Sequence, residues 1–190
     1  MRIVGGKWRG RVLTGPIEAG ITSAIRPTSD RLRETIFNIL THAHGGILDN
    51  ARVVDLFAGT AAMGLEALSR GAHFALLIDD AAEARALMRA NVEALGCGGA
   101  TRIFRRDATR LGDAPPGEKF SLAFIDPPYG KGLAERALVS LSEGGWMAPD
   151  AVCVVEEEAG AEIGVPAGFE VLDKRIYGGT QVMFARALQQ

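Results

Sequence analysis

The sequence predicts an α/β fold: a seven-stranded, mostly parallel sheet with helices on both faces and an antiparallel hairpin at its C-terminal end. Three observations predict it. From residue 51 onward, short apolar runs alternate with amphipathic segments, the pattern of repeated strand-helix units. Two later runs are separated by Gly178-Gly179, which reads as a hairpin turn. Four successive strands end on an acid, Asp55, Asp79, Asp107 and Asp126, at the carboxyl ends where open α/β sheets hold ligands.

Taken in order, "RIVGG" and "RGRVL" read as two short strands joined through Lys7 and Trp8, an N-terminal hairpin followed by a loop with Pro16, Gly20 and Pro27. In "TSDRLRETIFNILTHA", Leu32, Ile36, Ile39 and Leu40 recur at helical spacing, with Thr28, Ser29 or Asp30 as N-cap and Gly45-Gly46 as the stop. "RVVDLF" is a strand, "AAMGLEALSR" a helix ended by Gly71, and "HFALLI" a strand. "DDAAEARALMRANVEAL" is a helix with Ala84, Leu87, Met88, Val92 and Leu95 on one face and Gly96 at its end. "TRIFRRD" and "FSLAFID" are strands, "LAERALVSLSE" a helix, and "AVCVVEEE" a strand whose three glutamates read as a solvated end. "GFEVLDKRIYG" and "TQVMFARAL" form the closing hairpin.

At 190 residues, the chain is of single-domain size and can bury roughly 70% of its unfolded surface. Cys97 and Cys153 are far apart and have no histidine or cysteine at metal-ligand spacing, so both read as reduced thiols of a cytoplasmic protein. His42, His44 and His73 likewise lack a ligand-spaced partner, and no metal is expected. The N-terminus has charges and glycines where a signal peptide needs apolar residues, and no run is long enough to span a bilayer, so neither secretion nor membrane insertion is expected.

The net charge of −2 is unevenly distributed. Residues 1–33 carry Arg2, Lys7, Arg9, Arg11, Arg26, Arg31 and Arg33 against Glu18 and Asp30, a net of +5 that leaves −7 for the remainder. With Trp8 and the neighbouring glycines, this reads as a polyanion-binding end, and the seven basic residues are its candidate nucleic-acid contacts. The expected division is a basic extension over residues 1–45 and a catalytic domain over 46–190.

"AFIDPPYG" sets a carboxylate at the end of a core strand and places two prolines directly after it. The prolines fix the backbone and contribute no N–H, so Asp126 and the Pro127 carbonyl are expected to point outward without a local partner. "GTAAMG", Gly59 to Gly64, has the spacing of a nucleotide-binding loop with Ala61 at the middle position, where glycine admits a pyrophosphate. Asp55, just before this loop, repels a diphosphate and suits a cation. Both features disfavour a dinucleotide. Asp79 lies 20 residues beyond Gly59, where an acid meets ribose hydroxyls. An adenosine that carries a positive charge and no phosphate is S-adenosylmethionine.

"VVDLFAGTAAMG", the acid of "LLID", "RDA" and "DPPYG" resemble, in order, the motifs of class I S-adenosylmethionine-dependent methyltransferases, which have a Rossmann-like fold. "RIVGGKWRGRVL", "RPTSDRLRETIFNIL" and "KRIYGGT" resemble more narrowly the bacterial enzymes that methylate guanine N2 in small-subunit ribosomal RNA. The resemblance implies that Gly59, Thr60 and Gly64 surround the methionine end of the cofactor, with Asp55 near it. Asp79 would take the ribose and Asp107 with Ala108 the adenine. Asp126, Pro127, Pro128 and Tyr129 would form the target-base site. The implied substrate is 16S ribosomal RNA or an assembling small subunit, the product S-adenosylhomocysteine, and the enzyme a cytoplasmic monomer without metal. The rival readings are an adenine-N6 methyltransferase on DNA or RNA and a catalytically silent RNA-binding or assembly protein. Two positions depart from the family pattern: Ala61 replaces a usual glycine, and Ala81 a frequent second acid.

Overall fold

The computed structural model describes residues 1–17, 20 and 28–188. Strands β1 (Arg52–Leu56), β2 (Phe74–Asp79), β3 (Thr101–Arg105), β4 (Phe120–Ile125), β5 (Met147–Glu158), β6 (Phe169–Tyr177) and β7 (Thr180–Ala187) form one sheet in the order β3-β2-β1-β4-β5-β7-β6. Pairing is parallel from β3 through β5, and β7 runs antiparallel to both its neighbours. After β3 the chain crosses to the far side of β1, so strand order reverses between β1 and β4. The carboxyl ends of these two strands are therefore the expected ligand crevice.

Side-chain alternation splits the core into two layers. Val53 of β1, Leu77 of β2, Phe124 of β4 and Val154 of β5 face helices α1 (Asp30–Ala43), α2 (Ala62–Ser69) and α3 (Ala82–Leu95). Val54, Ile78, Ile125 and Val155 face α4 (Leu133–Glu143) and Trp146. Two residues beyond each of the first four positions stand Asp55, Asp79, Asp126 and Glu156. The same alternation that buries the apolar columns brings four acids to one face.

Helix α1 starts where Ser29 accepts a hydrogen bond from Leu32 N–H at 3.2 Å. Its Phe37 lies 5.4 Å from Phe124, centroid to centroid, which seats the helix on β4. Ile3, Leu13, Ile36 and Phe37 belong to the same buried cluster as the sheet, so the N-terminal segment shares the core of the remainder.

The N-terminal hairpin is tied by Ile3 N to Arg11 O, Gly10 N to Ile3 O and Leu13 N to Met1 O, with one antiparallel bridge between Arg2 and Val12. Its tip is a 3-10 turn over Gly6–Trp8. The ladder stays this short because its donors go elsewhere: Val4 and Gly5 N–H donate to Glu66, and Trp8 N–H to Ser69 Oγ. Gly6 lies so close to the end of α2 that a Cβ there would come within 1.9 Å of the Ser69 carbonyl oxygen. The glycines serve docking onto α2. Among the described residues, no helix is long and apolar enough to cross a membrane.

Candidate active site

The glycine loop links β1 to α2 across the end of β2. Asp79 holds it through Gly59 N–H, which donates to Oδ2, while its Oδ1 accepts from Ala81 N–H at the start of α3, each at 3.0 Å. Asp55 Oδ2 accepts from Gly64 N–H at 2.9 Å. A Cβ on Gly64 would lie 2.6 Å from Leu77 Cδ2 and 3.2 Å from Asp55 Oδ2, so only glycine lets α2 approach the sheet this closely. Ala61 occupies the left-handed region at φ 66° and is fully buried. Thr60 is held from behind: Asn91 of α3 donates to its carbonyl at 3.0 Å while pairing with both backbone groups of Thr14.

Burial pushes the Asp55 carboxyl well above the usual carboxylate range despite the Gly64 hydrogen bond, and Asp126 and Asp79 add to the rise. Asp79 is raised in the same way, by burial first. Acids crowded at a strand-order reversal are relieved by a cation, and the carboxylate oxygens of Asp79 have further acceptor capacity for hydroxyls. The residues present thus fit an adenosyl sulfonium. Asp107 is exposed and turned onto its own loop, accepting from Thr109 N–H at 2.8 Å and Thr109 Oγ1 at 2.7 Å. Ala108 is buried in the layer that faces α4. The backbone bond from Arg106 N–H to Asp79 O places this pair next to Asp79.

Asp126 comes directly after β4, on the other side of the reversal. The expectation that it lacks a local partner is corrected: Thr28, just ahead of α1, donates its hydroxyl to Asp126 Oδ2 at 3.0 Å. Proline removed the backbone donors nearby, and a side chain remote in sequence supplies one instead. Pro127 is buried and Pro128 exposed. Tyr129 Oη shares a 3.2 Å hydrogen bond with Thr180 Oγ1, and Gly130 N–H donates to Glu157 Oε1 at 3.0 Å. The turn before β7 therefore stands beside the Asp-Pro-Pro-Tyr segment.

A family model described as Conserved hypothetical protein 95 matches residues 1–186. The Ribosomal RNA small subunit methyltransferase D of Escherichia coli (strain K12) is 40% identical over 167 residues, 87% of this chain and 78% of that protein. The chain belongs to the small subunit methyltransferase D family. The Haemophilus influenzae protein of the same name is 30% identical over 181 residues, covering 94% of this chain and 89% of that one. A solved Escherichia coli structure, yhhF, superposes on this family member with a TM-score of 0.83 at 32% identity, covering 100% of this chain and 99% of that one. The seven-stranded fold expected from the sequence is borne out, as is the family.

Two further expectations change. Glu156 and Glu157, read as part of a solvated strand end, are 3% and 4% exposed: β5 stays paired with β7 through Glu158 after its β4 ladder ends at Val155, Thr28 lies against Glu156, and Gly130 N–H donates to Glu157. Only Glu158 of that run is exposed. Arg33 is fully buried, donating to Asp30 Oδ1 at 2.7 Å, to the Arg2 carbonyl, and to Thr28 O at 3.3 Å, with Nε 3.5 Å from Glu66 Oε2. It cannot reach a phosphate. Arg2, Lys7, Arg9, Arg11 and Arg31 are exposed, although Arg2 pairs with Asp30, Lys7 lies over the Trp8 ring and Arg11 donates to Ala94 O. Arg26 lies outside the described residues. Sequence reasoning missed Thr28 and Glu156 as parts of the site. Glu156 was detectable in principle, as the acid that continues the Val152, Val154 alternation. Among the described residues, no group of three or more His, Cys, Asp or Glu side chains could hold a metal.

Proposed function

We propose that this chain transfers a methyl group from S-adenosylmethionine to the exocyclic N2 amine of a guanine in small-subunit ribosomal RNA. The observation that carries the reading is the placement of Asp126, rigidly backed by Pro127 and Pro128, across the strand-order reversal from the loop held by Asp55 and Asp79. When bound, S-adenosylmethionine supplies an electrophilic methyl whose transfer leaves a neutral thioether. Asp55, Gly59, Thr60 and Gly64 would hold its methionine end, Asp79 its ribose, and Asp107 with Ala108 its adenine.

The chain's own residues do the rest. A guanine amine is a poor nucleophile because its lone pair is delocalised into the ring. Asp126 and the Pro127 carbonyl accept hydrogen bonds from that amine and hold its lone pair toward the methyl. As positive charge develops on nitrogen, it meets a preorganised carboxylate, and the proton that the methylated amine releases passes to Asp126 or to water. Tyr129 offers a face for a base taken out of its stack. The exposed basic residues of the N-terminal segment, residues 1–45, bring the polyanion to a body of net negative charge. The family relationship and the names of the two relatives support this substrate class.

The test is methyl transfer from labelled cofactor to undermodified small-subunit RNA and to assembling particles, with nucleoside digestion of the product. N2-methylguanosine supports the reading. N6-methyladenosine would move the target to another exocyclic amine, and the absence of any transfer or cofactor binding would reduce the chain to an RNA-binding protein.

A further inference from the structure

Glu156 has no part in the chemistry derived so far, yet it is 3% exposed and belongs to the same cluster of acids. Its Oε1 and Oε2 lie 3.3 and 3.5 Å from Thr28 Oγ1, the hydroxyl that is 3.0 Å from Asp126 Oδ2. A threonine hydroxyl carries one hydrogen and two acceptor sites. Two ionised carboxylates would compete for that single hydrogen. The shorter contact assigns it to Asp126, so a hydrogen bond between Thr28 and Glu156 requires the proton to sit on Glu156.

We propose that Glu156 stays a neutral carboxylic acid and acts as a positioning residue: its O–H donates to Thr28 Oγ1, whose own O–H is thereby directed onto Asp126. The surroundings favour this state. Burial is the largest influence on Glu156 and pushes its carboxyl well above the usual range, and the charges of Asp126 and Asp55 push the same way. Arg33 is the opposing positive charge, but its guanidinium is already committed to Asp30, Glu66 and two backbone carbonyls. On β7, the residues level with this part of β5 are Gln181, Val182 and Met183, none of them charged. A neutral donor at Glu156 leaves the negative charge on Asp126, where the methylated amine needs it.

The inference rests on the reading of Asp126 as the amine acceptor, and the variants separate the two. Single-turnover methyl transfer would be measured for Asp126→Ala, Glu156→Ala, Glu156→Gln, Thr28→Val and Thr28→Ser, with thermal melts and cofactor titrations on each. Glu156→Ala and Thr28→Val are expected to slow transfer about 100-fold, the loss typical of displacing a reacting group by roughly 1 Å, with cofactor affinity and RNA KM unchanged. The double variant should be no slower than either single one, since both break the same chain of hydrogen bonds. Glutamine keeps a donor toward Thr28, so Glu156→Gln should recover most of the rate with the wild-type pH profile across neutral pH, and Thr28→Ser should recover it likewise. Glu156→Gln as slow as Glu156→Ala would show that Glu156 works ionised and overturn the proposal. Full activity in Glu156→Ala would overturn it too, while leaving Asp126 in place. If Asp126→Ala kept its turnover, the acceptor role itself would fall, and the positioning role with it.

Discussion

Glu66→Ala is expected to destabilise the protein by roughly 3–5 kcal/mol, the usual cost of breaking a buried ion pair from one side. Glu66 is wholly buried in α2, and its carboxylate takes Val4 N–H at 2.8 Å, Gly5 N–H at 2.7 Å and Arg70 Nε at 2.7 Å, with Arg33 Nε 3.5 Å away. Alanine leaves the Arg33 guanidinium, whose side chain is 0% exposed, with Asp30 as its remaining ion-pair partner. It also orphans two amides, each worth about 1–3 kcal/mol where water cannot reach. Against a total stability of about 5–15 kcal/mol, this is a large fraction. At about 2–4 °C per kcal/mol for a chain of this size, Tm should fall by roughly 6–20 °C. The assay is urea unfolding at low and high salt, with Glu170→Ala as the control. The Glu170–Arg186 pair is 41% and 45% exposed and should contribute at most about 1 kcal/mol. A loss below about 1 kcal/mol for Glu66→Ala, or one that high salt abolishes, would refute the view that this carboxylate clasps the hairpin and α1 to α2.

Asp79→Ala should weaken cofactor binding by roughly 1.5–3 kcal/mol, the range for hydrogen bonds to a charged group, and a titration with unchanged affinity would place the ribose elsewhere. Ala61→Gly removes about 1–2 kcal/mol of left-handed strain but also a buried methyl worth about 0.8 kcal/mol and adds chain entropy of about 0.5–1 kcal/mol, so stability should stay within about 1 kcal/mol while cofactor binds at least as tightly. Clearly weaker binding in calorimetry would show a loop adapted to alanine. Because burial raises Asp55 above its ordinary 3.8, the native state keeps a proton that the unfolded chain releases, and this contribution to stability declines as pH rises from that value toward the folded pKa. Asp55→Asn should therefore flatten the decline and stabilise the cofactor-free protein at neutral pH while weakening cofactor binding; a steeper pH dependence in melts would contradict it. Changing Arg9, Arg11 and Arg31 together should lower RNA affinity and reduce its log-log salt slope by about 0.7–0.9 per lost phosphate contact. An unchanged slope in filter binding would leave these residues as plain solvated surface.

The elements themselves were legible because each is a local statement. Periodicity, caps and the glycines at the turns marked out seven strands and the major helices. The acids at the ends of β1 and β4 were legible for the same reason, since Gly59 and Pro127 mark those ends, and Asp79 was legible because the apolar run of β2 stops at it. For Glu156 the Val152, Val154 alternation marked the face but not the burial, because that depends on a β7 that arrives later, and sheet order is a tertiary fact. Spacing marked Thr28 only as a candidate cap for α1. Its hydroxyl meets Asp126 because Phe37 packs on Phe124, a contact that spacing does not reveal. Arg33 was misread although the signal was present: Arg33, Ile36, Phe37 and Leu40 share one helical face, and all four are buried. Charge suggested surface where spacing pointed to core.

The sheet order also bears on how the chain is made. β7 is synthesised after both of its neighbours yet lies between them, pairing Glu158 with Thr180 on one side and Tyr177 with Thr180 on the other. Until it leaves the ribosome, one edge of β5, with the apolar run from Ala151 to Val155, stays open, and β6 has no strand to join. Synthesis at about 5–20 residues per second keeps that edge exposed for on the order of a few seconds. An apolar strand with unpaired backbone groups is a template for other chains. The nascent protein is thus most prone to aggregate in the interval between β5 and β7, when its glycine loop and the first four strands are already complete.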